Sequence, residues 1–168
     1  MVSEVKEAPW LVLRTRSRHE SAVEQSLRQK QIRAYLPKRK VVRRSRGQKR
    51  VVELPLFPGY VFVQPDPNQY ENMRYIRGSC GLILCGNRPA TMPENDLQAV
   101  KIIVESGAEI AVDQALIPGR RVKVISGPFA GAMGELIRVK SGERLIINAH
   151  LLSSSLSVEV DISMVELI

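Results

Sequence analysis

Pro55-Leu56-Phe57-Pro58-Gly59-Tyr60-Val61-Phe62-Val63 is the stretch from which the fold can be read. It holds two of the three phenylalanines in a chain that is only 5% aromatic. Pro58 fixes its own φ and Gly59 tolerates backbone angles closed to other residues, so the pair turns the chain sharply ahead of a run of strand formers. In Tyr60-Val61-Phe62-Val63 alternate side chains point to opposite sides, and all four are apolar or aromatic, so neither face is suited to water. That pattern predicts a central strand. Phe57 and Tyr60, at its entry, have two readings at this level: ordinary core aromatics, or the lining of an open groove that another protein fills.

Upstream, Trp10-Leu11-Val12-Leu13 predicts a buried strand that ends where Arg14 and Arg16 begin a polar segment. Ser17 and Glu20 have capping-box spacing, and Ala22, Val23 and Leu27 recur on one face, so a helix is expected from there to about Gln31. Ile32 to Leu36 reads as a second strand, stopped by Pro37. Downstream, Asp66-Pro67 opens a short helix carrying Tyr70 and Met73. Gly81-Leu82-Ile83-Leu84 gives another strand, and Leu97, Val100, Ile103 and Val104 form the apolar face of a helix that Gly107 ends. Alternating strands and helices make residues 9–107 one α/β sandwich domain.

Ala108 to Ile117 has neither a helix cap nor clear strand alternation, and 108–116 is read as the linker. It is not a Gly/Ser linker, since Ile110, Ala111, Val112, Leu116 and Ile117 are able to pack. Residues 117–168 change character. Arg121 to Ile125, Gly134 to Val139, Leu145 to Leu151, Leu156 to Val160 and Met164 to Leu167 are strand-like runs, with turns at Ser126-Gly127-Pro128, Ser141-Gly142 and Ser153-Ser154-Ser155. Closely spaced short strands predict a small barrel, so the fold class is α+β.

Net charge is +8, but it is unevenly spread: between Gln25 and Val52 lie eleven Lys or Arg and no acid. The other residues sum to −3, fourteen bases against seventeen acids. A mildly acidic body with one basic limb points to a polyanion partner. The limb centres on Lys38, Arg39, Lys40, Arg43, Arg44, Arg46, Lys49 and Arg50, flanked by Val41-Val42 and Val51-Val52 around a Ser45-Arg46-Gly47-Gln48 turn. This predicts a projecting β-hairpin over about 38–52 with a basic tip. A solvated charge run is the alternative, and the absence of interspersed acids favours nucleic-acid binding.

Other classes are disfavoured. No run of about 18 apolar residues is present to span a membrane, and the opening Met1-Val2-Ser3-Glu4 lacks the basic region of a signal peptide. Cys80 and Cys85 are too few for a disulfide framework and lack the companions of a zinc site, so buried free thiols in a reducing cytoplasm are expected, with no metal or cofactor. The glycine-rich stretch Gly127-Pro128-Phe129-Ala130-Gly131-Ala132-Met133-Gly134 is not a phosphate loop, because no Lys-Ser or Lys-Thr follows it. It is read instead as a tight loop with Phe129 at its tip, either a contact point or a plug at the end of the barrel. His19 and His150 are isolated, no catalytic constellation assembles around them, and an enzyme is not expected.

Trp10-Leu11-Val12-Leu13 before a helix, Phe57-Pro58-Gly59-Tyr60, and Gly127-Pro128-Phe129-Ala130-Gly131 within a C-terminal barrel together resemble the NusG family of transcription elongation factors, from about Pro9 to Ile168. The resemblance implies an NGN domain followed by a KOW domain with an SH3-like barrel. It implies that Trp10, Phe57, Pro58 and Tyr60 line an apolar groove for the coiled-coil clamp helices of the largest RNA polymerase subunit. That would move Phe57 and Tyr60 from core to interface. Gly127, Pro128, Phe129 and Ala130 would form the loop that meets other factors, such as ribosomal protein S-ten or the termination factor Rho. Arg16 and Arg77 would approach the non-template DNA, and nascent RNA is the other nucleic acid in reach. A cytoplasmic monomer that raises processivity by bridging is expected.

The long basic segment Lys38 to Arg50, the Asp66-Pro67 helix start and the ending Leu151 to Asp161 are more similar to specialised paralogues, antiterminators of particular long operons. In one branch of these the KOW domain is first stored as a helical hairpin. Val122, Val124, Ile125, Ile137 and Val139 favour strand, so the barrel form is expected here. A rival class, a ribosomal or RNA-packaging structural protein with a KOW-type barrel, accounts for charge and barrel. It leaves the Phe57 to Phe62 strand and the α/β domain unexplained.

Overall fold

The computed structural model describes residues 8–114, 119–139, 142–149 and 154–168. Readings that fall on residues 115–118, 140–141 and 150–153, including Leu116, Ile117, Ser141, His150, Leu151 and Ser153, lie outside them. By compactness the chain divides into two units, one drawn from Met1–Leu36 and Pro58–Met92, the other from Pro37–Phe57 and Pro93–Ile168.

The first unit is built on β1 (Leu11–Thr15), α1 (Glu20–Gln29) and β2 (Arg33–Tyr35). The chain then leaves for the second unit through β3 (Lys38–Ser45) and β4 (Gln48–Pro55) and returns as β5 (Tyr60–Gln64). Two 3-10 segments, Pro67–Gln69 and Glu71–Tyr75, lead to β6 (Ser79–Leu82), β7 (Leu84–Cys85) and β8 (Arg88–Pro89). The four-stranded sheet has the order β2-β5-β1-β6 with every neighbour antiparallel. Tyr60-Val61-Phe62-Val63 is therefore the interior strand its two apolar faces require. Register places Leu11 opposite Val63 and Leu13 opposite Val61 on one face, over Val23 and Leu27 of α1 and Met73 and Ile76 beyond β5. Each fully buried side chain of this kind contributes about 2 kcal/mol. Val12 and Phe62, opposite each other on the second face, are also buried, and the Phe62 ring stacks on Tyr35 at 6.4 Å.

Several local expectations are corrected. α1 starts at Glu20, not Ser17, and His19 occupies its N-cap without a side-chain capping bond, its Nδ1 lying 2.8 Å from the Ser17 carbonyl instead. The reason is visible at Glu20, which is buried and accepts the Gly59 N–H at 2.9 Å. A carboxylate spent on the turn before β5 cannot reach back to close a capping box. The Asp66-Pro67 segment forms 3-10 turns, the Asp66 N–H donating to Gln69 Oε1 at 2.9 Å. The expected Gly81 to Leu84 strand breaks after Leu82, and Leu84 starts the short β7–β8 pair. Cys80 and Cys85 are exposed rather than buried, on a strand at the sheet edge and in that short pair.

In the second unit α2 (Glu94–Glu105) buries Leu97, Ala99, Val100 and Ile103, and Gly107 follows with φ +72°. β9 (Ala111–Gln114), β10 (Arg120–Val124), β11 (Met133–Val139), β12 (Gly142–Ala149), β13 (Ser154–Val160) and β14 (Val165–Leu167) form a six-stranded antiparallel sheet, ordered β14-β10-β11-β12-β13-β9. Each of the five strand-like runs contains a strand among its described residues, although Ile125 and Met164 fall outside β10 and β14, and Val122, Val124, Ile137 and Val139 lie in β10 and β11, not in a helical hairpin. β9 and β14 form the two edges and do not pair with each other among the described residues. β9 falls where no strand alternation was legible. It is a strand because β13 offers it a partner, Leu156 pairing with Val112 and Ser157 with Ala111. Arg144 on β12 bridges to β13, its Nε donating to Ser157 Oγ at 3.1 Å with Glu159 3.7 Å away.

Candidate functional site

The hairpin of β3 and β4 forms a sheet of its own, with eight consecutive rungs in register from Lys38 opposite Pro55 to Ser45 opposite Gln48. Its turn is Arg46-Gly47, with φ +50° and +76°. Positive φ at both central residues is the type I′ geometry, whose twist matches that of a two-stranded ribbon. β-branched cross-strand pairs, Val41 with Val52 and Val42 with Val51, hold the strands together. The hairpin expectation is met, and its register sorts the predicted bases into two groups.

Lys38, Arg39 and Lys40 line a cleft of about 780 Å³ together with Glu53, Glu105 and Glu109. Three acids face three bases there, so the base of the hairpin is electrostatically balanced. Beyond it, residues 42–51 are exposed without exception. Arg43 lies opposite Arg50 and Arg44 opposite Lys49, with Arg46 at the tip. The cationic surface that the hairpin offers to a polyanion is therefore these five side chains.

Arg16 and Arg77, widely separated in sequence, come together: the Arg16 N–H donates to the Gly78 carbonyl at 2.8 Å, and both side chains are exposed. Exposed Arg14 and Arg18 flank Arg16. Neither was singled out as a site residue, although the alternation of bases through Arg14, Arg16 and Arg18 was there to be read.

The four residues expected in an apolar groove differ in burial. Phe57 is only 2% exposed, Pro58 is exposed, and Trp10 and Tyr60 are half-buried. Tyr60 pairs with Arg14 and Leu11 with Val63, so Trp10 and Tyr60 belong to the same face of the sheet at opposite ends, about 13 Å apart along the strands. Buried Val12 and Phe62 lie between them. The Arg33 guanidinium sits over the Trp10 ring at 5.8 Å, a cation–π contact that leaves part of the indole in reach of a partner.

The Gly127 to Gly131 loop is closed by the Ala130 N–H on the Gly127 carbonyl and the Gly131 N–H on the Val124 carbonyl, 3.2 and 2.8 Å. Gly127, Pro128 and Ala130 are exposed, but Phe129 is 7% exposed. The Phe129 ring is thus turned inward rather than presented at the loop tip. The ring borders a cleft of about 480 Å³ that also includes Ala111, Arg144 and Glu159. Among the described residues no group of three His, Cys, Asp or Glu is placed to hold a metal, and no helix is long and apolar enough to cross a membrane.

Residues 8–101 match the family model described as "Transcription termination factor nusG". The transcription termination/antitermination protein NusG of Yersinia pestis is 30% identical to this chain, covering 98% of it and 99% of that protein. The Pseudomonas aeruginosa protein of the same name is also 30% identical, over 78% of this chain and 77% of its own. The solved structure "Domain interaction in Thermotoga maritima NusG" superimposes with a TM-score of 0.50 at 22% identity, covering 96% of this chain and 98% of that one, a likeness of fold. With a family model matching more than half of its residues and a relative aligned almost end to end, the chain belongs to the NusG family.

Proposed function

We propose that this protein is a transcription elongation and antitermination factor that seats on the clamp helices of the largest RNA polymerase subunit and holds nearby nucleic acid with its basic hairpin. It acts by binding and not by chemistry. A factor that favours the closed clamp over paused states needs only a difference in affinity between the two. The observation that carries the reading is the sheet face of the first unit. Partly exposed Trp10 and Tyr60 stand at its ends, with exposed Pro58 beside Tyr60, and the residues between them are closed. Half-buried aromatics that retain some accessible ring are the anchors protein interfaces use most.

The six-stranded sheet is read as the SH3-like KOW barrel. Its Gly127-Pro128-Ala130 loop faces a second factor, such as ribosomal protein S-ten or Rho, and Phe129 anchors that loop from within. The five uncompensated bases of the hairpin tip favour a specialised antiterminator. The test is a pull-down with a clamp-helix fragment of the polymerase. Tyr60→Ala or Trp10→Ala should weaken capture by about thirtyfold, the equivalent of about 2 kcal/mol, with the circular dichroism spectrum unchanged. Undiminished capture by the folded double variant would refute the groove, and co-sedimentation with salt-washed ribosomal subunits in place of polymerase would refute the reading altogether.

A further inference from the structure

The tip of the β3–β4 hairpin is dressed on both faces for a ligand with negative charge on either side. Because side chains alternate along a strand, Val42 with Val51 and Arg44 with Lys49 share one face, and Arg43 with Arg50 occupies the other. Each cationic rung sets like charges directly across from one another, which destabilises a ribbon. A two-stranded hairpin has little stability to lose. Among the described residues none of these four bases is in an ion pair. The arrangement becomes favourable when anions lie on both faces, as the two phosphate backbones do on either side of a duplex groove.

Two further observations choose the kind of nucleic acid. Single strands are held on aromatic platforms where bases stack. Residues 38–55 contain no Phe, Tyr, Trp or His. Instead the hairpin presents Val42 and Val51, 59% and 65% exposed, a branched apolar rung in water next to a cationic one. The major groove of B-form DNA, about 12 Å wide, admits a two-stranded ribbon, and the apolar group it displays is the thymine methyl. The A-form major groove of duplex RNA is too deep and narrow for side chains to read. We propose that the hairpin tip enters the major groove of duplex DNA, with the Val42–Val51 rung against thymine methyls and Arg43, Arg44, Lys49 and Arg50 on the flanking phosphates. This rests on the proposed nucleic-acid role of the hairpin and narrows it to the duplex.

The full-length protein is titrated by fluorescence anisotropy with length-matched probes: an A/T-rich DNA duplex, the same duplex with uracil for thymine, one of its single strands, and an RNA duplex. Each is followed across a salt series. The DNA duplex should bind at least an order of magnitude more tightly than the single strand or the RNA. Uracil for thymine should weaken binding about fourfold for each methyl group that the valines cover. The triple variant Arg43→Ala, Arg44→Ala, Arg50→Ala should flatten the slope of log K against log salt by about 2.7 on the duplex. Val42→Ser with Val51→Ser should leave the slope alone and remove the preference for thymine over uracil. The uracil probe asks the same question of the unaltered protein, so a hairpin weakened by serine does not obscure the answer. A single strand bound as tightly as the duplex, or indifference to the thymine methyl, overturns the duplex assignment while a changed slope upholds nucleic-acid binding. An unaltered slope in the triple arginine variant overturns both.

Discussion

Phe57 and Tyr60 stand three residues apart and are set different tasks by their exposure. Phe57 is 2% exposed, so removing its ring leaves a cavity, and Phe57→Ala should cost about 3–5 kcal/mol in a denaturant titration. Clamp-helix capture by whatever fraction remains folded should be intact, in contrast with Tyr60→Ala. Phe129, 7% exposed, belongs with Phe57: Phe129→Ala should lower stability by about 3 kcal/mol or more. A melting temperature that barely moves, together with failure to bind a second factor, would instead return the ring to the role of a direct contact. Sequence reasoning could name both phenylalanines but not choose between plug and contact. Aromatic character serves both, and only the surrounding backbone, such as the closed Gly127 to Gly131 loop, decides which way the ring turns.

Among the elements, α1 and the entry to β5 are joined by one hydrogen bond that neither segment announces. Gly59 has φ +85° and its N–H donates to buried Glu20, 39 residues earlier. Its carbonyl accepts the Thr15 N–H at 2.8 Å, so the turn is tied to β1 as well. Glu20→Ala orphans that donor and should cost about 1–3 kcal/mol. Amide hydrogen exchange should show weakened protection first at Gly59 and Tyr60, and a uniform decline across the sheet would refute the local role. The Ser17 to Glu20 spacing was a real capping signal overridden by a long-range partner. Strands were read more reliably than helix starts, because the unbroken apolar run of Tyr60 to Val63 and the two-residue alternation of Val122 to Val124 report burial directly. A cap depends on where one carboxylate goes. β9 was missed for a related reason: Ala111–Gln114 has no pattern of its own and takes its conformation from the exposed edge of β13.

On the scale of the molecule, charge is concentrated where structure offers it least compensation. The hairpin tip from Arg43 to Arg50 carries five of the bases behind a net charge of +8. Replacing 43–50 by Asn-Gly would keep the Val42–Val51 rung, supply a type I′ turn and reduce the net charge to +3, since 8 minus 5 is 3. The shortened protein should leave a heparin column at much lower salt while melting within a few degrees of the parent. Unchanged elution would mean that the cluster around Arg16 and Arg77 carries polyanion binding instead. This division of labour was legible in the sequence, because a run of bases without acids needs no structure to be noticed. The shared cleft of Lys38, Arg39 and Lys40 with Glu53, Glu105 and Glu109 was not, since two of those acids lie more than fifty residues away.

The sixth strand has a consequence for anyone who would exchange the C-terminal module between relatives. A graft that begins at residue 117 leaves Ala111–Gln114 behind and strips β13 of its neighbour. Ser154 to Ser157 would then expose a row of unsatisfied amide and carbonyl groups, a ready template for a second chain. Such chimaeras should self-associate, whereas a junction placed ahead of Ala111 transplants the module with its native edge strand still covering β13.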